Sequence, residues 1–276
     1  MRRESLQWIV PVVLAVGVAA AIWFYWSQGR SPERPAEQPA AETSEPPAAA
    51  ETGEPDHPLP EPEPEPAATG QPALRPLPPL DESDEYFEMA LTDLFGNALE
   101  ERLVDTRLIE RLVATVDNLP RNELAERIKP LETVPGQFDV ERQNESTEQN
   151  PRYTIDPDNY ERYDALVAMV ANTGTEEMAE LYRRFYPLLQ KAYVDLGYPD
   201  AYFNDRVVEV IDHLLATPEV EGPVELVRPH VLYEYADPEL EQLSSGQKAL
   251  IRIGSENASV VKQKLREFRE LITQDR

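Results

Sequence analysis

Apolar residues in the second half of the chain recur at steps of three and four, the spacing of one face of an α-helix. The densest example is the stretch 175–196, where Met178, Leu181 and Phe185 begin one apolar stripe and a tyrosine-rich stripe lies beside it. A helix that is apolar over so wide an arc is expected in the centre of a domain. Pro187 is expected to kink this helix or to break it at Tyr186, because proline removes one backbone hydrogen bond.

Weaker patterns of the same kind predict further helices, with Asn204 and Ser255 as caps of two of them and Lys262 on a polar face. These helical stretches lie at 81–95, 99–116, 157–170, 204–215, 238–250 and 255–272. Short stretches rich in β-formers at 138–140 and 153–155 predict a small hairpin, and those at 224–227 and 231–235 predict a minor sheet. The predicted fold class is therefore mainly α, a helical bundle-like domain over 81–276 with minor short β pieces.

An uncharged apolar run occupies residues 8–26, from Trp8 to Trp26. As a helix it would rise ~28 Å, close to the ~30 Å hydrocarbon thickness of a bilayer. Trp8 at one end and Trp23, Tyr25 and Trp26 at the other suit the two headgroup regions. The run predicts one transmembrane helix.

Two other interpretations of this run remain open. Ala19, Ala20 and Ala21 resemble a signal-peptide cleavage site, but the apolar run continues past them. A buried globular helix is disfavoured because a proline-rich segment follows.

The orientation of the predicted helix follows from its position, since a first helix behind a short basic head resembles a signal anchor. We therefore expect residues 1–7 in the cytoplasm and the C-terminal domain on the opposite side of the membrane.

Residues 27–80 have the composition of a disordered tether. The segment is dominated by proline and glutamate, including alternating Glu-Pro pairs at 61–66. Such a sequence buries too little apolar surface to offset its conformational entropy. Proline also favours an extended polyproline conformation, so the segment is expected to hold the domain away from the membrane.

Charge excludes one class of partner. The whole chain carries a formal charge of −26, and most of it falls in the C-terminal domain. Nucleic acid would be repelled by this surface, because binding to phosphates requires lysine and arginine. The chain contains no cysteine, and His57, His213 and His230 have no metal-ligand spacing, so we expect no metal and no cofactor.

One short motif has the form of a catalytic pair. Ser245 and Lys248 match the Ser-x-x-Lys pattern in which a lysine activates a serine nucleophile. No Lys-Thr-Gly motif follows, and no large sheet is predicted to carry the pair. We interpret the motif as a loop followed by a helix and expect no catalytic residue.

A group of tyrosines and arginines forms the candidate interaction surface. Such residues line grooves for sugars or extended peptides, although buried tyrosines and structural arginine–carboxylate pairs are the commoner case. The sequence is compatible with both interpretations, a ligand groove lined by these residues and a position in the core. The candidate residues are Arg162, Tyr163, Asp164, Tyr182, Arg183 and Tyr186.

Four stretches, at 162–172, 181–200, 214–226 and 235–268, resemble a proteobacterial domain of unknown function. Members of that family join an N-terminal membrane helix and a proline-rich tether to a helical domain. The resemblance extends over roughly residues 80–272 and implies a Gram-negative inner-membrane protein with a periplasmic domain. It implies no activity, cofactor or catalytic residue.

Three functional hypotheses follow. The leading one is a single-pass inner-membrane protein that presents a non-catalytic binding or scaffold domain to an envelope protein or cell-wall partner. The second is a cell-envelope enzyme acting on peptidoglycan through Ser245 and Lys248. The third is a tethered envelope sensor coupled to the anchor helix.

Overall fold

A computed structural model describes residues 54–59, 76–132, 134, 136–143 and 151–274. The predicted head at 1–7, the predicted span at 8–26 and most of the predicted tether at 27–80 lie outside these residues. In the part that is described, no helix combines the length and the apolar composition needed to cross a bilayer.

The described part of the chain is mainly helical, as the apolar periodicity predicts. Two 3-10 turns, at Leu80–Glu82 and Glu126–Ile128, accompany the α-helices. The α-helices are α1 (Asp84–Phe95), α2 (Asn97–Glu100), α3 (Leu108–Asn118), α4 (Asp158–Asn172), α5 (Thr175–Asp195), α6 (Phe203–Leu215), α7 (Pro238–Glu241), α8 (Ser245–Arg252) and α9 (Ser255–Thr273).

Four short strands form one antiparallel sheet in the order β1-β2-β3-β4. They are β1 (Val140–Arg142), β2 (Arg152–Ile155), β3 (Glu225–Val227) and β4 (Glu234–Tyr235). The sequence predicts a hairpin and a separate minor sheet, whereas the two are joined by pairing of β2 with β3. The joint buries Leu226 and Tyr235 against Ile251 of α8, in a small second hydrophobic cluster.

Helix α5 lies at the centre of the bundle and packs against α3, α6 and α9. Its predicted stripe is buried, with Met178 and Phe185 fully enclosed. The predicted break at Tyr186 is wrong, since α5 continues through Pro187. Pro187 is exposed, whereas Phe185 and Leu188 beside it are buried. The packing of Phe185 and Leu188 thus offsets the loss of the one backbone hydrogen bond that the proline ring removes.

The predicted helix at 99–116 is two helices instead of one. Arg107 has a left-handed φ of 56° and separates α2 from α3. The carboxylate of Asp84 in α1 accepts hydrogen bonds from the backbone N–H groups of Arg107 and Leu108, at 2.7 and 2.8 Å. The first N–H groups of a helix need such acceptors. Here the acceptor comes from another helix, which local sequence does not reveal.

Two further predicted helix boundaries are wrong, and Ser255 is the first residue of α9 instead of its cap. Helix α6 begins at Phe203, so Asn204 lies inside it and does not cap it. The predicted helix at 238–250 is divided into α7 and α8, because Ser244 starts a new helix. The Ser244 hydroxyl accepts from the Gln247 N–H and the Gln247 side chain accepts from the Ser244 N–H, a reciprocal cap.

Two pieces of the predicted tether lie against the helical domain. Leu59, in residues 54–59, and Leu77, in residues 76–79, both pack on the main hydrophobic core. Each leucine is flanked by prolines, which lower the entropy lost when the chain is ordered. Both pieces therefore belong to the surface of the helical domain and are not part of a free tether.

Candidate functional site

Two of the predicted surface tyrosines belong to the core. Tyr163 and Tyr182 are 5% and 1% exposed. The Tyr182 hydroxyl donates to the side-chain oxygen of Asn204 at 3.0 Å, and its ring meets Phe268 edge-on. Burial raises the pKa of Tyr182 well above its usual value. These rings therefore stabilise the bundle and do not line an open groove.

The two predicted arginines bind the protein's own backbone. Arg183 donates to the carbonyl of Leu271 at 2.7 Å, which joins α5 to the end of α9. Arg162 donates to the carbonyl of Gln137 at 2.8 Å and to the side chain of Asn159. Arginine forms such fixed multidentate contacts readily because its guanidinium group is planar.

The remaining two predicted residues lie apart from each other. The Tyr186 hydroxyl donates to the side chain of Gln190 in the same helix at 3.1 Å. Asp164 is exposed and accepts a hydrogen bond from the Asn257 amide at 2.9 Å. The six predicted residues do not form one surface, and Asp164 is the one that lines the cleft described below.

Ser245 and Lys248 are not arranged as a nucleophile and its base. Ser245 is 1% exposed, and its hydroxyl donates to the carbonyl of Leu119 at 3.2 Å. The ammonium group of Lys248 pairs with the carboxylate of Glu241. A substrate could not reach the serine oxygen, and the lysine is neutralised by a carboxylate. This geometry counts against the enzyme hypothesis.

A cleft of about 790 Å³ opens between the start of α4, the segment 217–222, the end of α8 and the first turns of α9. Its apolar lining comes from both hydrophobic clusters and includes Tyr160, Val224 and Leu250. A cleft of this size is within the range of ligand-binding pockets.

The wall between α8 and α9 depends on Gly254. This residue has a φ of +85°, and a Cβ built on it would lie 2.8 Å from the ring of Tyr160. Only glycine allows both this backbone conformation and this close approach. The amide of Asn257 then donates to the carbonyl of Tyr160 and to Asp164, which holds the start of α9 against α4. Burial raises the pKa of Tyr160 above its usual value.

Lys262 of α9 holds the segment 217–222, which forms the other wall of the cleft. The sequence predicts this lysine on a solvent-facing surface, but it is 6% exposed. Its ammonium group donates to the carbonyl of Thr217 at 2.6 Å and so ties α9 to the segment 217–222. Burial lowers the pKa of Lys262, whereas Glu219 opposes this shift. The predicted polar face of α9 is thus wrong at this position, because a long side chain can reach back to cap a carbonyl.

The cleft is strongly acidic. Lys262 is the single lysine or arginine among the lining residues, and it is already bonded. The carboxylates are all on exposed residues, namely Glu161, Asp164, Glu219, Glu221 and Glu256. This excess of negative charge beside the apolar lining residues is suited to a cationic ligand with an apolar portion. Within the described ranges, no three histidines or carboxylates are grouped as metal ligands.

Sequence reasoning missed most of this cleft. The signal lay in the segment 218–223, Pro-Glu-Val-Glu-Gly-Pro, which alternates acidic and apolar residues between two prolines. Its significance depends on α4 and α9, which bring Asp164 and Glu256 to the same opening. Without the tertiary structure, acidic residues are too frequent in this chain for any pair to be singled out.

The fold and the site define a mainly helical domain with an acidic cleft. The chain belongs to the DUF3014 family, described as proteins of unknown function, whose model matches residues 108–269. Searches of curated proteins and of solved structures found no match. The matched region includes α3 to α8 and most of α9, and with them the whole cleft.

Proposed function

We propose that this protein is a non-catalytic binding protein of the cell envelope, in which the acidic cleft holds a basic segment of a partner protein. The observation that carries the proposal is the set of five exposed carboxylates around a partly apolar cleft of about 790 Å³. In the same proposal, residues 8–26 anchor the chain as a single span in the inner membrane. The helical domain then lies in the periplasm at the end of the tether.

The chemistry of the cleft favours a basic peptide. Lysine and arginine side chains have long apolar stems and charged ends, so they match a cleft that combines apolar residues with exposed carboxylates. Opposite charges on the two surfaces increase the rate of association and the specificity of binding. The protein's own tether cannot serve as this ligand, because the segment 27–80 is itself acidic.

A matched pair of charge variants tests this proposal. The probe is a fluorescent ten-residue peptide of lysine and leucine, titrated with the full chain in detergent at 0.15 M salt. The triple variant Glu219→Gln, Glu221→Gln and Glu256→Gln should weaken binding at least tenfold, because it removes three of the five cleft carboxylates. The control carries the same change at three exposed glutamates outside the cleft, Glu85, Glu100 and Glu101, and should bind within twofold of wild type.

Equal weakening in both triple variants would mean that the peptide responds to net charge alone, and this proposal would then be abandoned. No binding by the wild-type chain would overturn it as well.

In cells, a photo-crosslinking residue at position 221 should capture a partner peptide rich in lysine or arginine, whereas the same residue at position 100 should not. A captured peptide without a basic cluster would contradict the proposed chemistry.

A further inference from the structure

A second site lies at the start of α6, and it is occupied by a segment of the chain itself. The segment 54–59 crosses this point, and the carboxylate of Asp205 accepts from the backbone N–H groups of Asp56 and His57, at 3.1 and 2.8 Å. The side-chain amide of Asn204 donates to the carbonyl of His57 at 2.8 Å. All three hydrogen bonds are made to the main chain of the segment.

The receiving side of this contact is rigid. Asn204 is 1% exposed, and its oxygen accepts from the Tyr182 hydroxyl of α5 at 3.0 Å. Its nitrogen also donates to the carbonyl of Ile272 at the end of α9, at 3.1 Å. The amide is therefore oriented by two helices before the segment arrives. A preorganised polar group of this kind binds a ligand with little loss of its own freedom.

The bound segment has features that suit docking. Pro55 and Pro58 restrict the backbone on either side of His57, so less conformational entropy is lost on binding. Leu59 adds an apolar contact with the main core. The contacts remain few, and Asp56 and Pro58 are exposed. Three hydrogen bonds and one leucine hold six residues, which favours an exchange between docked and released states.

We propose that the start of α6 is a docking site for an extended, proline-flanked peptide segment and that residues 54–59 occupy it reversibly as a clamp on the tether. In the anchored protein described above, the clamp sets the distance between domain and membrane. With the clamp closed, about 27 tether residues (27–53) precede the domain and reach at most ~85 Å. With it open, about 49 residues (27–75) do so and reach up to ~150 Å.

Variants of His57 test the clamp without altering the domain. His57→Pro removes the N–H group that Asp205 binds, whereas His57→Ala keeps it and loses only the side chain. The chain has no native cysteine, so spin labels can be placed at Glu54→Cys and at the exposed Glu270→Cys of α9. Pulsed electron resonance on the full chain in detergent then measures the distance between the labels.

The wild-type chain and His57→Ala should both give a narrow short-distance component. His57→Pro should reduce this component at least fivefold and give a broad distribution of longer distances. From the domain side, Asp205→Ala should act like His57→Pro, and Asp200→Ala, an exposed residue in the preceding turn, should act like wild type. An excess of a synthetic peptide of residues 52–61 should displace the segment and broaden the distances.

A broad distribution in the wild-type chain would overturn the clamp, as would a narrow component that persists in His57→Pro. Failure of the added peptide to compete would show that the site does not accept a peptide in trans, contrary to the proposal. The measurement needs neither a partner nor a membrane. Its failure is therefore distinguishable from failure of the proposed binding function.

Discussion

Single buried polar side chains join the helices of this domain, and Asp117 is the clearest case. This aspartate is 3% exposed at the end of α3. Its carboxylate accepts from Arg206 of α6 at 3.0 Å and from Arg121 at 3.1 Å. Arg206 also donates to the Asp117 carbonyl at 2.7 Å, and the Tyr198 hydroxyl reaches the carboxylate at 3.3 Å. A charge buried in this way is tolerated because its hydrogen bonds are satisfied.

Asp117→Asn should lower the free energy of unfolding by ~2–4 kcal/mol, because it removes the buried carboxylate that pairs with Arg206 and leaves the exposed Glu209 as the remaining counter-charge. The matched control is Asp195→Asn, which breaks an exposed ion pair with Lys191. That control should change the stability little, because exposed pairs are screened by water. Urea unfolding at pH 7 measures both, and similar losses in the two variants would contradict the assigned role of burial.

At the scale of elements, the start of α8 depends on contacts from α6. Ser244 caps α8, and its hydroxyl lies 2.8 Å from the Nε2 atom of His213 in α6. The Gln247 side chain, the other half of the cap, donates to the carbonyl of His213 at 3.2 Å. The cap therefore fixes the contact between two helices as well as one helix end.

Burial lowers the pKa of His213 below its ordinary value of 6.5, Arg206 lowers it further, and Glu209 opposes the shift. The unfolded chain thus takes up the proton first as the pH falls. The stability contributed by neutral His213 is complete above pH 6.5 and is lost as the pH falls from there through the lower folded value.

The pH dependence of unfolding should therefore be weaker in His213→Gln than in the wild-type chain between pH 7 and pH 5. His230→Gln is the control. It makes the same histidine-to-glutamine change at an exposed position. Urea unfolding midpoints across this range measure the difference. An unchanged slope in His213→Gln, or an equal change in both variants, would refute the assignment.

At the scale of the whole molecule, two hydrophobic clusters share helix α8. Leu250 packs into the main helical core, whereas Ile251 packs under the sheet. The cleft opens where these two clusters meet, so its shape depends on both. In the proposed arrangement, residues 8–26 anchor the chain in a membrane. The acidic domain that contains the cleft lies in the aqueous compartment next to that membrane.

A reporter fused after Arg276 tests that arrangement. Alkaline phosphatase, which requires an oxidising compartment, should be active in the fusion, and green fluorescent protein exported unfolded by the same route should be dark. Replacing Leu14 and Val16 with arginine should abolish phosphatase activity, since charges at the centre of a span oppose insertion. The matched control, the exposed Leu196 and Val231 to arginine, leaves the span and the core intact and should retain export. A fusion fluorescent in the cytosol would contradict the predicted topology.

The periodicity of apolar residues was sufficient to predict most helices, including the central position of α5, because burial of one face leaves a direct trace in the sequence. The hairpin and its neighbouring β pieces were also predictable from local composition. Helix ends were less predictable: α3 is capped by Asp84 from another helix, and Asn204 serves three elements instead of capping its own.

The sequence alone thus determined the mainly helical class and the acidic charge, since these depend on composition and on neighbours along the chain. The span at 8–26 and the tether stay predictions of the same kind. Only the tertiary structure decided which carboxylates surround one cleft, that Tyr182 is core, that Lys262 is buried and that residues 54–59 dock on α6. These properties depend on contacts between residues tens to more than a hundred positions apart, such as His57 with Asp205. The pattern of residues along the chain reports on near neighbours and does not predict contacts of this kind.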